Sequence, residues 1–339
     1  LLFERFDTPA CCLAGQASLS LLGGGGGELH GIALDVGESV TRATPIAFGL
    51  EVAHSARRVA FGGADVTDTL GLALLQRAPS LFAPSYSMVN ATNLATVRDI
   101  KHRFGRLAHD VTAASAAGAG VVAAKPSQYQ LPDGTVLAIE DQDFAYFEPL
   151  FHPRLFVKFA DDAKKQQQQS ASCGGASDNS RGDTKQSETK SASASRDSSS
   201  SSSDDGTGFS SPCGVADLVA SVWSAADPRL PLSAHKAAAT KQDGKPAEEQ
   251  PPPLLVVPCG GSAHVPGFRE RLERELRARL QLPTTPGAPR AVRVAPPVQF
   301  AAFRGGSLLA SLSTTVEERF VTRAMYQECG ARVVRQMCL

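Results

Sequence analysis

Large apolar side chains recur along this chain in blocks with the spacing of strands and helices, and they almost vanish in two long polar stretches, 161–211 and 234–253. Residues 31–36 form an apolar run broken by the acid Asp35, and a second run begins at Val40 after a turn through Gly37, Glu38 and Ser39. That pattern predicts a β-hairpin over 31–42 with its first strand buried. Residues 12–22 place apolar side chains at helical intervals, which predicts a buried helix. From His54 to Leu75 the pattern changes from strand to helix across 62–68, with Asp65 as the N-cap. In 91–110, Val97, Ile100, Phe104, Leu107 and Ala108 share one stripe and predict an amphipathic helix, off whose apolar face Lys101 falls. Residues 129–139 read as a hairpin turned by Pro132, Asp133 and Gly134. Residues 214–227 read as a helix and 254–257 as a buried strand. Phe268, Leu272, Leu276 and Leu280 step by four through a helix over 267–280, and an apolar helix over 307–312 follows the double glycine 305–306.

Two kinds of segment interrupt this pattern. Gly23 to Gly27 form an unbroken glycine run; no Gly-Lys-Ser/Thr follows, so a Walker loop is excluded and a floppy connector is expected. The polar stretch 161–211 cannot bury enough surface to offset ordering entropy, and 158–211 is expected to be a disordered insert. Its Arg181-Gly182-Asp183 triplet reads as chance. Residues 234–253 form a second polar insert ending in three prolines.

Composition changes the picture little. The 34 Lys+Arg balance the 34 Asp+Glu, so charge favours neither nucleic acid nor an anionic membrane, and neither is expected as a direct partner. No apolar run is long enough to span a bilayer, and a soluble, intracellular chain is expected. The 7 cysteines lack paired C-x-x-C spacing, which argues for reduced, mostly packed thiols over a zinc site or disulfide framework.

Two turns carry candidate chemistry. After Asp35, the turn through Gly37, Glu38, Ser39 and Val40 is the kind of concave array of backbone N–H groups that holds phosphate, with an acid at its mouth suited to hydrated Mg²⁺. Strand 254–257 leads through Gly260, Gly261 and Ser262 into a helix, which lets backbone approach a ligand closely. On the residues alone, a purely structural turn at Asp35, a core Gln16 and a surface His264 stand beside these readings.

Taken together, 3–10, 16–21, the Asp35 hairpin through Ile46, 97–101, 129–134, 259–262 and 305–313 resemble the actin family in order and spacing. The resemblance covers about 1–157, 212–233 and 254–339. It implies an α/β actin-like ATPase (ribonuclease H-like) fold, two lobes around a nucleotide cleft. The chain opens in mid-domain by this reading, so the family's N-terminal part, with the first of its two phosphate hairpins, is expected upstream. The implied division is 1–23 with 301–339 in the first lobe, 24–60 with 212–300 as the base of the second, and 61–157 as its outer subdomain. The glycine run falls at the hinge between the halves, where added flexibility would loosen cleft closure.

The resemblance also assigns roles. Gln16 orients the attacking water and Asp35 holds Mg²⁺ through water; Gly37, Glu38, Ser39 and Val40 cradle phosphate. Gly63 lies near ribose, Lys101 packs near adenine, and Gly260, Gly261, Ser262 and His264 meet the phosphates and base. The cofactor implied is ATP or ADP with Mg²⁺. Departures are visible: His102 stands where the family has a ribose-holding Glu, Arg42 replaces a histidine near the attacking water, and Val298-Gln299-Phe300 replaces a basic stretch. At most a weak ATPase is implied. Short matches at 54–58, 213–218, 225–227, 271–276 and 326–333 lean toward the actin-related subunit of the branch-nucleating complex, while the ending 335–339 looks like conventional actin. The expected function is a nucleotide-binding, actin-related cytoskeletal protein of the cytoplasm, partnered by actin and other cytoskeletal subunits, with Leu309 and Leu312 lining the groove at the barbed end. A filament-forming actin, a nuclear chromatin-remodelling subunit and a sugar kinase or chaperone-type ATPase of the same superfold are the alternatives. The last lacks a visible base for a sugar hydroxyl.

Overall fold

The computed structural model describes residues 1–77, 91–107, 127–131, 134–139, 147–155, 213–225, 254–280, 292–312 and 317–337. The expected inserts 158–211 and 234–253 lie outside the described residues, as do Pro132 and Asp133 of the expected hairpin turn.

The centre is a six-stranded mixed sheet. Strand β2 (Gly31–Val36) pairs antiparallel with β3 (Thr41–Ala47), so the expected hairpin forms, Asp35 opposite Arg42. On its other side β2 runs parallel to β8 (Leu254–Cys259), and β8 runs parallel to β9 (Val292–Val294). The outer strands β4 (Leu50–Glu51) and β5 (Arg57–Val59) both pair with β3. Alternation splits the apolar runs between two faces. Ile32, Leu34, Val36, Leu254 and Val256 join one core cluster, whereas Ala33, Ile46, Leu255 and Val257 join another. Both faces are covered, which is why these runs read as continuous rather than alternating.

The larger cluster is closed by α3 (Gly63–Arg77), α4 (Ala91–Phe104), α5 (Val215–Ala225) and α6 (Phe268–Arg279). A small hairpin, β6 (Ser127–Gln130) with β7 (Val136–Ile139), packs Leu137 and Ile139 into it. The opposite face takes Leu21 of α2 (Gln16–Gly24), which packs on α7 (Ala301–Ser311). Near the termini, α1 (Leu2–Arg5), a two-residue pairing of β1 (Ala10–Cys11) with β10 (Val321–Thr322), α8 (Arg323–Cys329) and α9 (Arg332–Met337) enclose Phe3, Val321 and Val333.

Three sequence expectations are corrected. The glycine run is not simply a floppy connector: Gly23 and Gly24 are the last residues of α2, and Gly25 caps it with its N–H on Leu21 O at 2.6 Å. A Cβ at Gly23 would stand 2.6 Å from Gly305 N, and one at Gly305 would collide with the Leu19 carbonyl, so glycine lets the α2 and α7 backbones touch. For the same reason the pair 305–306 lies inside α7, which starts at Ala301 rather than 307. Asp65 is the third residue of α3, not its N-cap; its carboxylate reaches back to the Gly62 N–H at 2.8 Å, the return half of a capping box.

Glu273–Arg277 and Glu275–Arg279 pair along α6, but Arg271 is fully buried, forked on Glu148 at 3.1 and 3.2 Å and bonded to Glu275 at 2.8 Å. A buried guanidinium persists only with its donors satisfied in this way.

Candidate functional site

The parallel register places Asp35 beside Cys259 at the carboxyl ends of β2 and β8, the edge where open α/β sheets hold ligands. Two turns leave the sheet there. In the first, the Gly37 N–H donates to Val40 O at 3.1 Å, closing the hairpin, so that amide is not one of the unpaired donors expected from the sequence. The Glu38, Ser39 and Val40 N–H groups carry no backbone bond among the described residues. The turn is clamped from behind: Gly37 O and Glu38 O accept the Gly63 and Ala64 N–H groups at 2.9 and 2.7 Å. A Cβ at Gly62 would lie 2.6 Å from both carbonyls, so the helix start can dock on the hairpin only through glycine.

The second turn starts at Gly260, whose φ of 86° lies in the left-handed region. A Cβ there would stand 2.6 Å from Asp35 Oδ1. Glycine thus keeps the carboxylate open on that side.

The structure brings Gln16 and Asp35 together. The Gln16 Nε2 donates to Asp35 Oδ2 at 3.2 Å across the start of α2. Burial pushes the Asp35 carboxyl above its ordinary range, against the pull of Arg42 and of the Gln16 hydrogen bond. Arg42 itself is exposed. Among the described residues no cluster of three His, Cys, Asp or Glu side chains stands ready for a metal. One partly desolvated carboxylate suits a cation that keeps most of its water and shares phosphate oxygens, which fits Mg²⁺ better than a metal needing a protein cage, and the neighbouring amide N–H groups suit the phosphate.

A few residues away, Gly63, Ser262, Glu38 and Lys101 converge. A Cβ at Gly63 would lie 2.7 Å from Ser262 Oγ, 3.1 Å from Glu38 Oε2 and 3.5 Å from Lys101 Nζ. Lys101, off the expected apolar stripe, is nonetheless buried; its Nζ donates to Gly63 O and to Thr67 Oγ1, each at 2.8 Å. Burial lowers its pKa, with Glu38 pulling the other way. Glu38 is engaged by Arg98 at 2.6 Å, so its side chain is held on α4 while its backbone amide remains available. Lys101, Gly261, Ser262 and His264 line one cavity of about 100 Å³, with His102, Gly105 and Phe147. The sequence-selected residues therefore form two neighbouring groups, Gln16 with Asp35 and Gly260, and Gly63 with Lys101, Ser262 and His264.

Sequence reasoning missed Arg98 and Thr67. Thr67 stands four residues after Gly63 and donates to its carbonyl at 2.9 Å, a helical spacing that was available to find it. Arg98 stands three residues before Lys101 on the same helix, but nothing local signals its partner sixty residues away. Leu309 is half-buried on α7, and Leu312, just past its end, is exposed. No described helix is long and apolar enough to cross a membrane.

Residues 1–180 and 254–339 match the family model described as Actin. Among curated relatives, "Putative actin-29" of Dictyostelium discoideum is 32% identical over 159 residues, 46% of this chain and 38% of that protein. An "Actin-like protein" of Neurospora crassa is 36% identical over 157 residues, 46% of this chain and 39% of that protein. The chain thus spans less than half the length of these relatives.

Proposed function

We propose, from the premise that this chain belongs to the actin family, that it is a nucleotide-binding, actin-related cytoskeletal protein taking ATP or ADP with Mg²⁺. The observation that carries the reading is the meeting of the Asp35 carboxylate with the Gln16 amide at 3.2 Å, beside a glycine whose missing Cβ leaves that carboxylate open. In this reading Asp35 holds the hydrated cation. The cation, when bound, neutralises phosphate charge. The Glu38, Ser39 and Val40 amides face the phosphates, and the Gly260, Gly261 and Ser262 turn approaches them from the other strand. Gly63, Lys101 and His264 flank ribose and base. Lys101 spends two of its donors inside the protein, so it supplies shape and positive potential there rather than a flexible contact.

Gln16 is a neutral amide that orients water without taking its proton, so with an exposed Arg42 opposite Asp35 in the hairpin we infer an ATPase that is weak at most. Residues 1–23 with 301–339 are read as part of a first lobe and the sheet as the base of a second. The short matches to the branch-nucleating complex's actin-related subunit support membership of an actin-nucleating or actin-organising complex in the cytoplasm, with actin and other cytoskeletal subunits as partners.

The test is chromatography of nucleotide released by acid from the purified protein after loading with Mg-ATP and removal of free nucleotide. About one equivalent of adenine nucleotide is expected; none would overturn the reading.

A further inference from the structure

We propose that Glu51 is a positioning residue for Gln16: its carboxylate, seated where a side chain at residue 15 would stand, fixes the first turn of α2 and so aims the Gln16 amide at Asp35. Helix α2 starts without a cap of its own. Gly15 is its N-cap and offers no side chain, and the first turn holds no acidic residue. The missing acceptor comes from strand β4 instead. The Ala17 N–H, second in the helix, donates to Glu51 Oε1 at 3.0 Å. A Cβ at Gly15 would lie 2.6 Å from Glu51 Cδ and closer still to Oε1, so glycine at 15 is the condition for the carboxylate to sit there. A negative group at this end also suits the helix dipole.

Glu51 is held by the sheet rather than by chance of rotamer. It pairs with Ile46, and Val52 N donates to Pro45 O at 2.9 Å. The turn joining β3 to β4 puts Phe48 and Gly49 at φ of 54° and 75°, and His30 Nδ1 accepts the Phe48 N–H at 3.1 Å. Sheet edge, Glu51, the start of α2, Gln16 and Asp35 thus form one chain of contacts. Gln16 is the first helical residue, so its backbone is set by the turn that Glu51 closes. What Gln16 is aimed for rests on the nucleotide reading above.

The experiment is NMR on the full isotope-labelled chain, following Ala17 amide exchange and the Gln16 side-chain amide signal in wild type, Glu51→Ala, Glu51→Gln and Gly15→Ala. Loss of a helix cap predicts about five- to tenfold faster Ala17 exchange in Glu51→Ala and Gly15→Ala. In both, the Gln16 signal should move toward its unfolded position, and Glu51→Gln, which keeps the acceptor oxygen, should restore both readings. Faster Ala17 exchange with an unmoved Gln16 signal would leave Glu51 a mere cap and overturn the proposal. So would no change in either, or Glu51→Gln behaving like Glu51→Ala. Unchanged Leu34 exchange checks folding, and Gly15→Ala serves if Glu51→Ala fails that check. A Mg-ADP titration of the wild type separates the two ideas: no binding defeats the nucleotide reading while the Glu51 to Gln16 coupling is still read.

Discussion

Lys101 and Asp35 show what a single residue reveals in sequence and what it hides. Asp35 and Gly260 were legible because each punctuates an apolar run, an acid in one strand and a glycine after the other. Lys101 was chosen through resemblance, yet its burial was not legible, since spacing alone set it off the apolar stripe. It is buried because Gly63 O and Thr67 Oγ1, contributed by α3, satisfy its charge from outside its own helix. Glu51 was invisible because a two-residue strand leaves no periodicity and its partner lies 34 positions earlier. The cysteines follow the same logic. Burial, then the Asp35 charge, pushes the Cys259 thiol up to about 12, and burial takes Cys213 to about 11, whereas Cys329 is exposed. Alkylation with iodoacetamide at about pH 8 should modify Cys329 and spare Cys213 and Cys259 until the protein unfolds, because the thiolate is the reacting form. Native-state labelling of Cys259 at the rate of Cys329, read by peptide mass spectrometry, would contradict this environment.

At the scale of elements, helices and strands were legible wherever one face was apolar, and their starts were not. Helix α7 begins at Ala301 because Gly305 can press on Leu19, a tertiary reason that no local signal carries. The glycine run shows the same limit, since flexibility was read from composition while packing uses three of the glycines to end α2. Gly305→Ala should cost on the order of 1–3 kcal/mol, the usual range for forcing atoms into a filled contact, and Gly306→Ala should cost less because its Cβ would meet only the Leu19 side chain, at 3.8 Å. Urea unfolding of the two variants checks the order, and equal losses would remove the close helix contact from the account. Helix α6 gives a pH prediction. Burial raises the Glu275 carboxyl, but hydrogen bonds from Arg279 and Arg271 more than offset it and hold its pKa below the ordinary value. A depressed carboxylate contributes stability above its unfolded pKa and loses it as pH falls through the folded one. Melting temperature should therefore fall more steeply below about pH 4.5 in wild type than in Glu275→Gln, and parallel curves would contradict this.

For the whole molecule, the α/β class and the actin-like fold were legible from ordered motifs, and the family match over 1–180 and 254–339 includes those motifs, though not 212–233. What sequence did not reveal is how two turns from parallel neighbouring strands meet over one carboxylate, because that juxtaposition joins residues 35 and 260 through the sheet register. The resemblance implies that residues 151–153 belong to an apolar loop through which the family's filament strands meet, and the polar stretch 161–211 follows a few residues later. Confining such a stretch in a filament contact would cost chain entropy, so the protein is expected not to form homopolymers. Sedimentation under polymerising salt, with and without 161–211, should leave the intact protein in the supernatant; filaments of the intact form would favour a conventional actin. Equilibrium titration with a fluorescent ATP analogue, with and without Mg²⁺, measures whether Asp35 holds the cation of a bound nucleotide. Asp35→Ala should weaken the Mg-dependent binding about tenfold or more, on the order of 1.4 kcal/mol, while Glu38→Ala, which loses an exposed pair with Arg98 and a charge near Lys101 but keeps the backbone amide, should stay within about twofold. Equal effects of the two substitutions, or wild-type binding indifferent to Mg²⁺, would contradict the account.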